Sequence, residues 1–212
     1  MRVKSDWVPF SAAMLLTGAL ALALGTILIP SADDTAETVR SVHEQNGQWM
    51  AGAATYFVSA VFLTLGLPTA LSMLPRRGRT LGLVSAVSLE LGFIGTAGYA
   101  MLLVFFSALV RTGTLVHQDL GEVANDAGLL IFIYGWIVGF VVGELLLGIA
   151  LLRAGTVPRW VGLAFLAHVA TVPLSAVLPS AVSKATILLF VAGAAGIAIA
   201  ATASPLAPRR PS

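Results

Sequence analysis

Three ionisable side chains lie deep inside long apolar segments of the sequence: Glu90, Glu144 and His168. A charged group at the centre of a membrane-spanning helix costs roughly 3 kcal/mol or more, so such residues tend to face a bundle interior, pair or stay neutral. At about 1.5 Å per residue, all three lie about 12–14 Å from helix ends on the same side. They are therefore predicted to form one polar layer, in which two neighbouring carboxyls would share a proton.

Such a layer suits three classes of function. In a transporter or binding protein, Glu90 and Glu144 would bind a proton, a cation or a small molecule, with His168 as a relay. In an intramembrane enzyme, one protonated glutamate would act as general acid on a lipid-like substrate, for example a terpenoid. In a structural or accessory subunit, the same groups would hold the helices in register by hydrogen bonds. The first class is favoured, and enzyme activity stays an open alternative.

The composition places these residues in a membrane protein. Hydrophobic residues make up 58% of the 212 residues, charged residues 10%, and the mean hydropathy is +0.93. A soluble domain carries about 25% charged residues, because its surface needs polar cover. The basic residues form no long run, which argues against a nucleic-acid partner and leaves the lipid bilayer as the expected one. The high content of Ala, Gly, Leu and Arg is typical of a GC-rich bacterial genome and predicts the bacterial cytoplasmic membrane.

Six segments are long and apolar enough to cross a bilayer as helices. They form a single all-α domain over residues 1–212, and the predicted spans are 8–30, 49–74, 81–110, 128–152, 160–178 and 184–203. Positively charged residues near the helix ends favour the cytoplasmic side, and nine lie on one side against three on the other. Both termini are therefore expected inside, and the two longest connections, 31–48 and 111–127, are expected outside.

No cofactor or metal site is predicted. The sequence lacks a phosphate-binding glycine loop, an HExxH pattern and a GxSxG pattern. It also lacks cysteine, which excludes thiolate metal sites. His43 beside Glu44 and His117 close to Asp119 could offer ligands to a divalent ion, but their spacing matches no metal motif, and solvated loops are the favoured interpretation.

Proline and small residues indicate how the helices pack. Pro68 and Pro173 cannot donate to the carbonyls of Thr64 and Val169, which predicts kinks beside the polar layer. A ridge of Gly135, Gly139 and Gly143 and a stripe of small residues on the preceding helix permit close backbone approach. The members of that stripe are Ser85, Ser88, Gly92 and Gly95.

One connection resembles that of a known family. The stretch 153–162, Arg-Ala-Gly-Thr-Val-Pro-Arg-Trp-Val-Gly, is similar to the R-x-G-x-x-P-R-W-x-G connection of uncharacterised six-helix membrane proteins of actinobacteria. The resemblance covers about ten residues together with the helix number, and it implies a six-helix fold. It implies no activity and no functional residue.

Overall fold

Apolar segments that satisfy their own backbone hydrogen bonds are helices, as a hydrocarbon environment requires. The computed structural model describes residues 7–32, 34–75, 78–114, 123 and 125–203, and within these residues every regular element is a helix. The helices are α1 (Trp7–Leu28), α2 (Thr35–Glu44), α3 (Asn46–Ser72), α4 (Arg79–Arg111), α5 (Ala127–Ala154), α6 (Arg159–Thr171), α7 (Ser180–Ala185) and α8 (Ile187–Ala203).

Five segments are long and apolar enough to cross a membrane: α1, α3, α4, α5 and the combined segment Ser180–Ala203. This architecture is that expected of a multi-pass integral membrane protein. The predicted count of six spans is not confirmed by this measure, because the predicted span 160–178 contains no single helix of sufficient length.

That segment is divided at Pro173. The helix α6 has 13 residues and is followed by a 3₁₀ turn, Pro173–Ala176. Proline has no amide hydrogen to donate to the carbonyl of Val169, and this carbonyl accepts instead from the amide of Val172 at 3.2 Å. This bond joins residues three apart, as in a 3₁₀ helix, and the α-helix ends here. The predicted kink therefore takes the form of a change from α-helix to 3₁₀ helix.

Six helices are arranged as a ring. The helix α1 packs against α3 and α8, α3 against α4, α4 against α5, α5 against α6, and α6 against α8. We name the end that holds the α3–α4 and α5–α6 connections the lower end, where Thr156 donates to the carbonyl of Met73. The upper end holds α2 and α7, where Lys184 donates to the carbonyl of Ile29 after α1.

The ring is held by close backbone contacts. A Cβ on Gly66 of α3 would lie 2.4 Å from the Cα of Leu15 on α1. The hydroxyl of Ser59 also donates to the carbonyl of Gly18 at 2.8 Å. Between α4 and α5, Ser85 donates to the carbonyl of Gly143 at 2.7 Å. Small residues and hydroxyl–carbonyl bonds are the devices by which membrane helices associate.

The segment 31–48, predicted to be an outer loop, contains the amphipathic helix α2. Asp34 caps it by accepting from the amide of Glu37 at 2.7 Å. Val42 is fully buried, and Ser41 accepts from the indole nitrogen of Trp49 at 3.2 Å. The helix therefore lies folded against the upper end of α3 and α4.

Candidate functional site

A buried carboxyl–imidazole pair joins α5 to α6. Nδ1 of His168 lies 2.9 Å from Oε1 and 2.8 Å from Oε2 of Glu144. Glu144 has no exposed surface, and His168 is 8% exposed. The structure thus brings together two of the three predicted site residues.

Glycines set the separation of the two helices that carry this pair. A Cβ on Gly148 of α5 would lie 3.0 Å from the carbonyl oxygen of Gly162 on α6, and a Cβ on Gly162 would lie 2.9 Å from the carbonyl oxygen of Gly148. The antiparallel helices therefore approach closely at their lower ends. Continuing upward, the same register places Glu144 opposite His168.

The pair has the geometry of a carboxylate-oriented imidazole. With a proton on Nδ1, His168 donates to the carboxylate, and its other nitrogen is an acceptor. Nε2 makes no hydrogen bond with any described residue, and it is not sealed in the core. The arrangement can therefore accept a proton at Nε2 and stabilise the resulting cation with Glu144.

Glu90 does not lie on the face of α4 that contacts α5. Its Oε1 accepts from the hydroxyl of Thr64 on α3 at 3.0 Å. The stripe of α4 that contacts α5 is separate: a Cβ on Gly92 would lie 2.7 Å from Cβ of Phe140, and one on Gly95 would lie 2.2 Å from Cβ of Trp136. Among the described residues, no hydrogen bond joins Glu90 to Glu144. The polar layer thus consists of two sites, one toward α3 and one toward α6.

A chamber lies in the upper half of the ring, above the Glu144–His168 pair. Its volume is about 180 Å³. Leu22 and Ile187 contribute apolar walls. The residues that give it polar and aromatic character are Thr26, Tyr56, Thr96, Tyr99, Trp136 and Phe140. Five helices line the chamber, and the ring helix that does not is α6.

The end of α6 explains the missing wall. Glu144 of α5 faces His168, and α6 ends three residues later at Thr171. All the buried residues of α5 lie at or beyond Gly143, so its upper half is covered on fewer sides than its lower half. The rings of Phe140 and Phe190 bridge α5 and α8 at the chamber floor, with centroids 5.5 Å apart.

The chamber presents hydrogen-bonding groups among stacked rings. Tyr56 donates to the hydroxyl of Thr26 at 3.2 Å. The ring of Tyr99 packs against Tyr56 and Trp136, with both centroid distances 5.9 Å. Neither the Tyr99 hydroxyl nor the Trp136 indole nitrogen makes a hydrogen bond with a described residue, and neither atom is completely sealed in the core.

The chamber is not predicted by the sequence. The sequence does contain an indication of the chamber. Tyr56 and Tyr99 lie inside predicted spans, whereas amphipathic aromatic residues favour the membrane interface. Trp136 also lies inside a predicted span, and it packs against Gly95. Depth alone could not show that the three rings share a cavity.

The outer histidines form no cluster in the part of the chain that the structure describes. There, no group of three or more His, Asp or Glu residues could hold a metal ion. His43 is exposed on α2. The predicted partners His117 and Asp119 lie outside the described residues.

Comparison with known proteins gives no relative. No protein-family model matches the chain, and neither a curated protein nor a solved structure does. The resemblance of residues 153–162 to actinobacterial membrane proteins stays a prediction.

Proposed function

We propose that this protein is a multi-pass protein of the bacterial cytoplasmic membrane that binds a small, largely apolar molecule inside its helix ring. The ligand has a ring-sized body and a hydrogen-bond acceptor, such as a carbonyl oxygen. The observation that carries the proposal is the 180 Å³ chamber with stacked aromatic walls and free donor groups.

The size of the chamber supports a ligand of this class. Close-packed protein interiors leave few voids larger than a water molecule, and an engineered apolar cavity of about 150 Å³ binds benzene. A purely structural bundle would fill the space between Tyr99 and Ile187 with side chains. A chamber of this size has room for one ring.

The chemistry of the walls supports an acceptor group on that ring. Tyr56, Tyr99, Trp136 and Phe140 offer faces and edges against which a planar molecule packs. Tyr99 and Trp136 have donors that the described residues do not use. Among the described residues, no charged side chain lines the chamber, so it favours a neutral ligand over a cation.

The missing α6 wall supports entry from the bilayer. A molecule dissolved in lipid could pass between α5 and α8 at the level where α6 has ended. Of the two predicted functions, binding and transport, this opening therefore favours binding of a lipid-soluble molecule.

The Glu144–His168 pair carries a second candidate function as a proton-accepting site. Phe190 lies between this pair and the chamber. The centroid of the Phe190 ring is 6.0 Å from that of the His168 ring and 5.5 Å from that of the Phe140 ring. The accessible Nε2 favours proton exchange, whereas the burial of Glu144 favours a positioning role for that carboxyl. General acid catalysis by Glu144 has less support, because no free carboxyl oxygen faces the chamber.

Binding of acetophenone tests the chamber, with ethylbenzene as a probe that has the same ring and no carbonyl. We expect purified protein to bind acetophenone more tightly, as measured by calorimetry in detergent. Tyr99→Phe should weaken acetophenone binding roughly two- to tenfold, the effect of one neutral hydrogen bond, and leave ethylbenzene unchanged.

Tyr134→Phe is the matched control. Tyr134 is 61% exposed on α5 and does not line the chamber, so the same change of side chain there should leave both probes unaffected. Equal binding of acetophenone to the Tyr99→Phe and wild-type proteins would refute hydrogen bonding at Tyr99. Failure of both probes to bind would refute the proposed function.

A further inference from the structure

An apolar groove, separate from the chamber, lies on the outer surface of the ring between α3 and α4. Its volume is about 230 Å³, and it is lined almost wholly by apolar groups. Val61 and Ile94 on its rim are 41% and 61% exposed, as expected for side chains that face lipid. Ala60 and Ala97 lie toward its upper end, and Thr64 lies at its lower end.

Glu90 lies beside the lower end of this groove, where it contacts a lining residue. It lies on α4 one turn below Phe93 and Ile94, and it accepts from Thr64, which lines the groove. The carboxyl is only partly buried. Its Oε2 has no hydrogen bond with a described residue and is not sealed in the core.

A partly exposed carboxyl at this depth is either neutral or paired with a cation. An ionised carboxylate in hydrocarbon is costly unless a cation or several donors neutralise it, and Thr64 supplies one hydroxyl. The described residues offer no cation here, since the long helices carry Lys or Arg only in their first or last turns. A second copy docked by its own α3–α4 face would therefore bring no compensating charge.

We propose that this groove binds a membrane-dissolved amine, with the ammonium group on Glu90 and the apolar body along α3 and α4. The seven helical steps from Glu90 to Ala97 span about 10 Å, which matches a medium-length alkyl chain. The ammonium donates to the free carboxylate oxygen, and the apolar walls cover the chain. This site differs from the central chamber in its place, its charge and its ligand.

Photolabelling with octylamine that carries a diazirine at the end of its chain tests the proposal, with the matched octanol as the uncharged probe. We expect the amine to label α3 or α4 near Ala60 and Ala97, as located by mass spectrometry. Glu90→Gln, which keeps the size and removes the charge, should reduce this labelling about tenfold or more. Ala97→Phe should reduce it by filling the groove.

Glu44→Gln is the control, because Glu44 is exposed on α2 and the change is chemically identical. Equal labelling of the wild-type and Glu90→Gln proteins would overturn the proposal, as would equal labelling by the amine and the alcohol. Cross-links between two copies through α3 and α4, with no amine labelling, would also overturn it in favour of a dimer. The amine labelling should survive Tyr99→Phe, so this test and that of the chamber fail independently.

Discussion

At the scale of single residues, position along a helix gives depth but not direction. Glu90 and Glu144 lie at similar heights on adjacent helices, because their neighbours Leu89 and Gly143 are in contact. Glu90 nevertheless bonds to Thr64 on α3, and Glu144 bonds to His168 on α6. The hypothesis of a proton shared between two carboxyls has no support in this geometry, and we infer instead a proton between Glu144 and His168.

Nitrogen NMR can locate that proton. In a variant with His43→Gln and His117→Gln, His168 is the only histidine left. We expect its Nδ1 to be protonated and its Nε2 to be bare in mildly alkaline buffer, because the carboxylate accepts from Nδ1. Glu144→Leu should remove this preference, and Glu90→Leu should not. A proton found on Nε2 with Nδ1 bare would contradict the pairing.

At the scale of helices, spacing predicted the packing faces better than it predicted the helix ends. The stripe of Ser85, Ser88, Gly92 and Gly95 does contact α5, and a Cβ on Gly143 would lie 2.6 Å from the backbone nitrogen of Leu89. Gly135, however, has no neighbour within 4 Å in that direction. Only the lower part of the glycine ridge on α5 therefore packs against α4.

Alanine substitutions should separate the two ends of this ridge. Gly143→Ala should lower the thermal stability of the purified protein, because its methyl group would meet rigid backbone of α4. The cost should be about 1–3 kcal/mol, typical of overpacking in a well-packed core. Gly135→Ala is the control and should cause no loss, since its methyl group enters open space. An equal loss for both variants would contradict the observed packing of α4 on α5.

The connection between α5 and α6 shows why a local motif can be structural. Gly155 has φ of +64° at the end of α5, a conformation that glycine adopts without strain. Pro158 directly precedes α6, and Gly162 allows the close approach to Gly148. Three residues that carry the family resemblance, Gly155, Pro158 and Gly162, thus serve the backbone conformation and the packing of the two helices. The sequence could predict a turn there, but not that α6 would end as an α-helix after 13 residues.

At the scale of the whole molecule, the course of the chain bears on the number of crossings. The connection before α6 lies at the lower end, because Thr156 donates to the carbonyl of Met73. Lys184 lies at the upper end, beside the carbonyl of Ile29. The intervening segment thus connects the two ends of the ring, although its α-helix is short. We therefore infer six crossings, with both termini on the same side.

Single cysteines in this cysteine-free chain test both the count and the orientation. We expect Ser31→Cys and Ser180→Cys to react with a membrane-impermeant thiol reagent in intact cells, because both are exposed toward the upper end, which the basic residues predict to be outside. Thr80→Cys, exposed at the start of α4, should react only after permeabilisation. Thr80 is preferred to Gly78, whose φ of +114° a cysteine would strain. If Ser180→Cys behaves like Thr80→Cys, the segment containing α6 does not cross. If all three patterns are reversed, the six crossings stand and the orientation inferred from the basic residues is wrong.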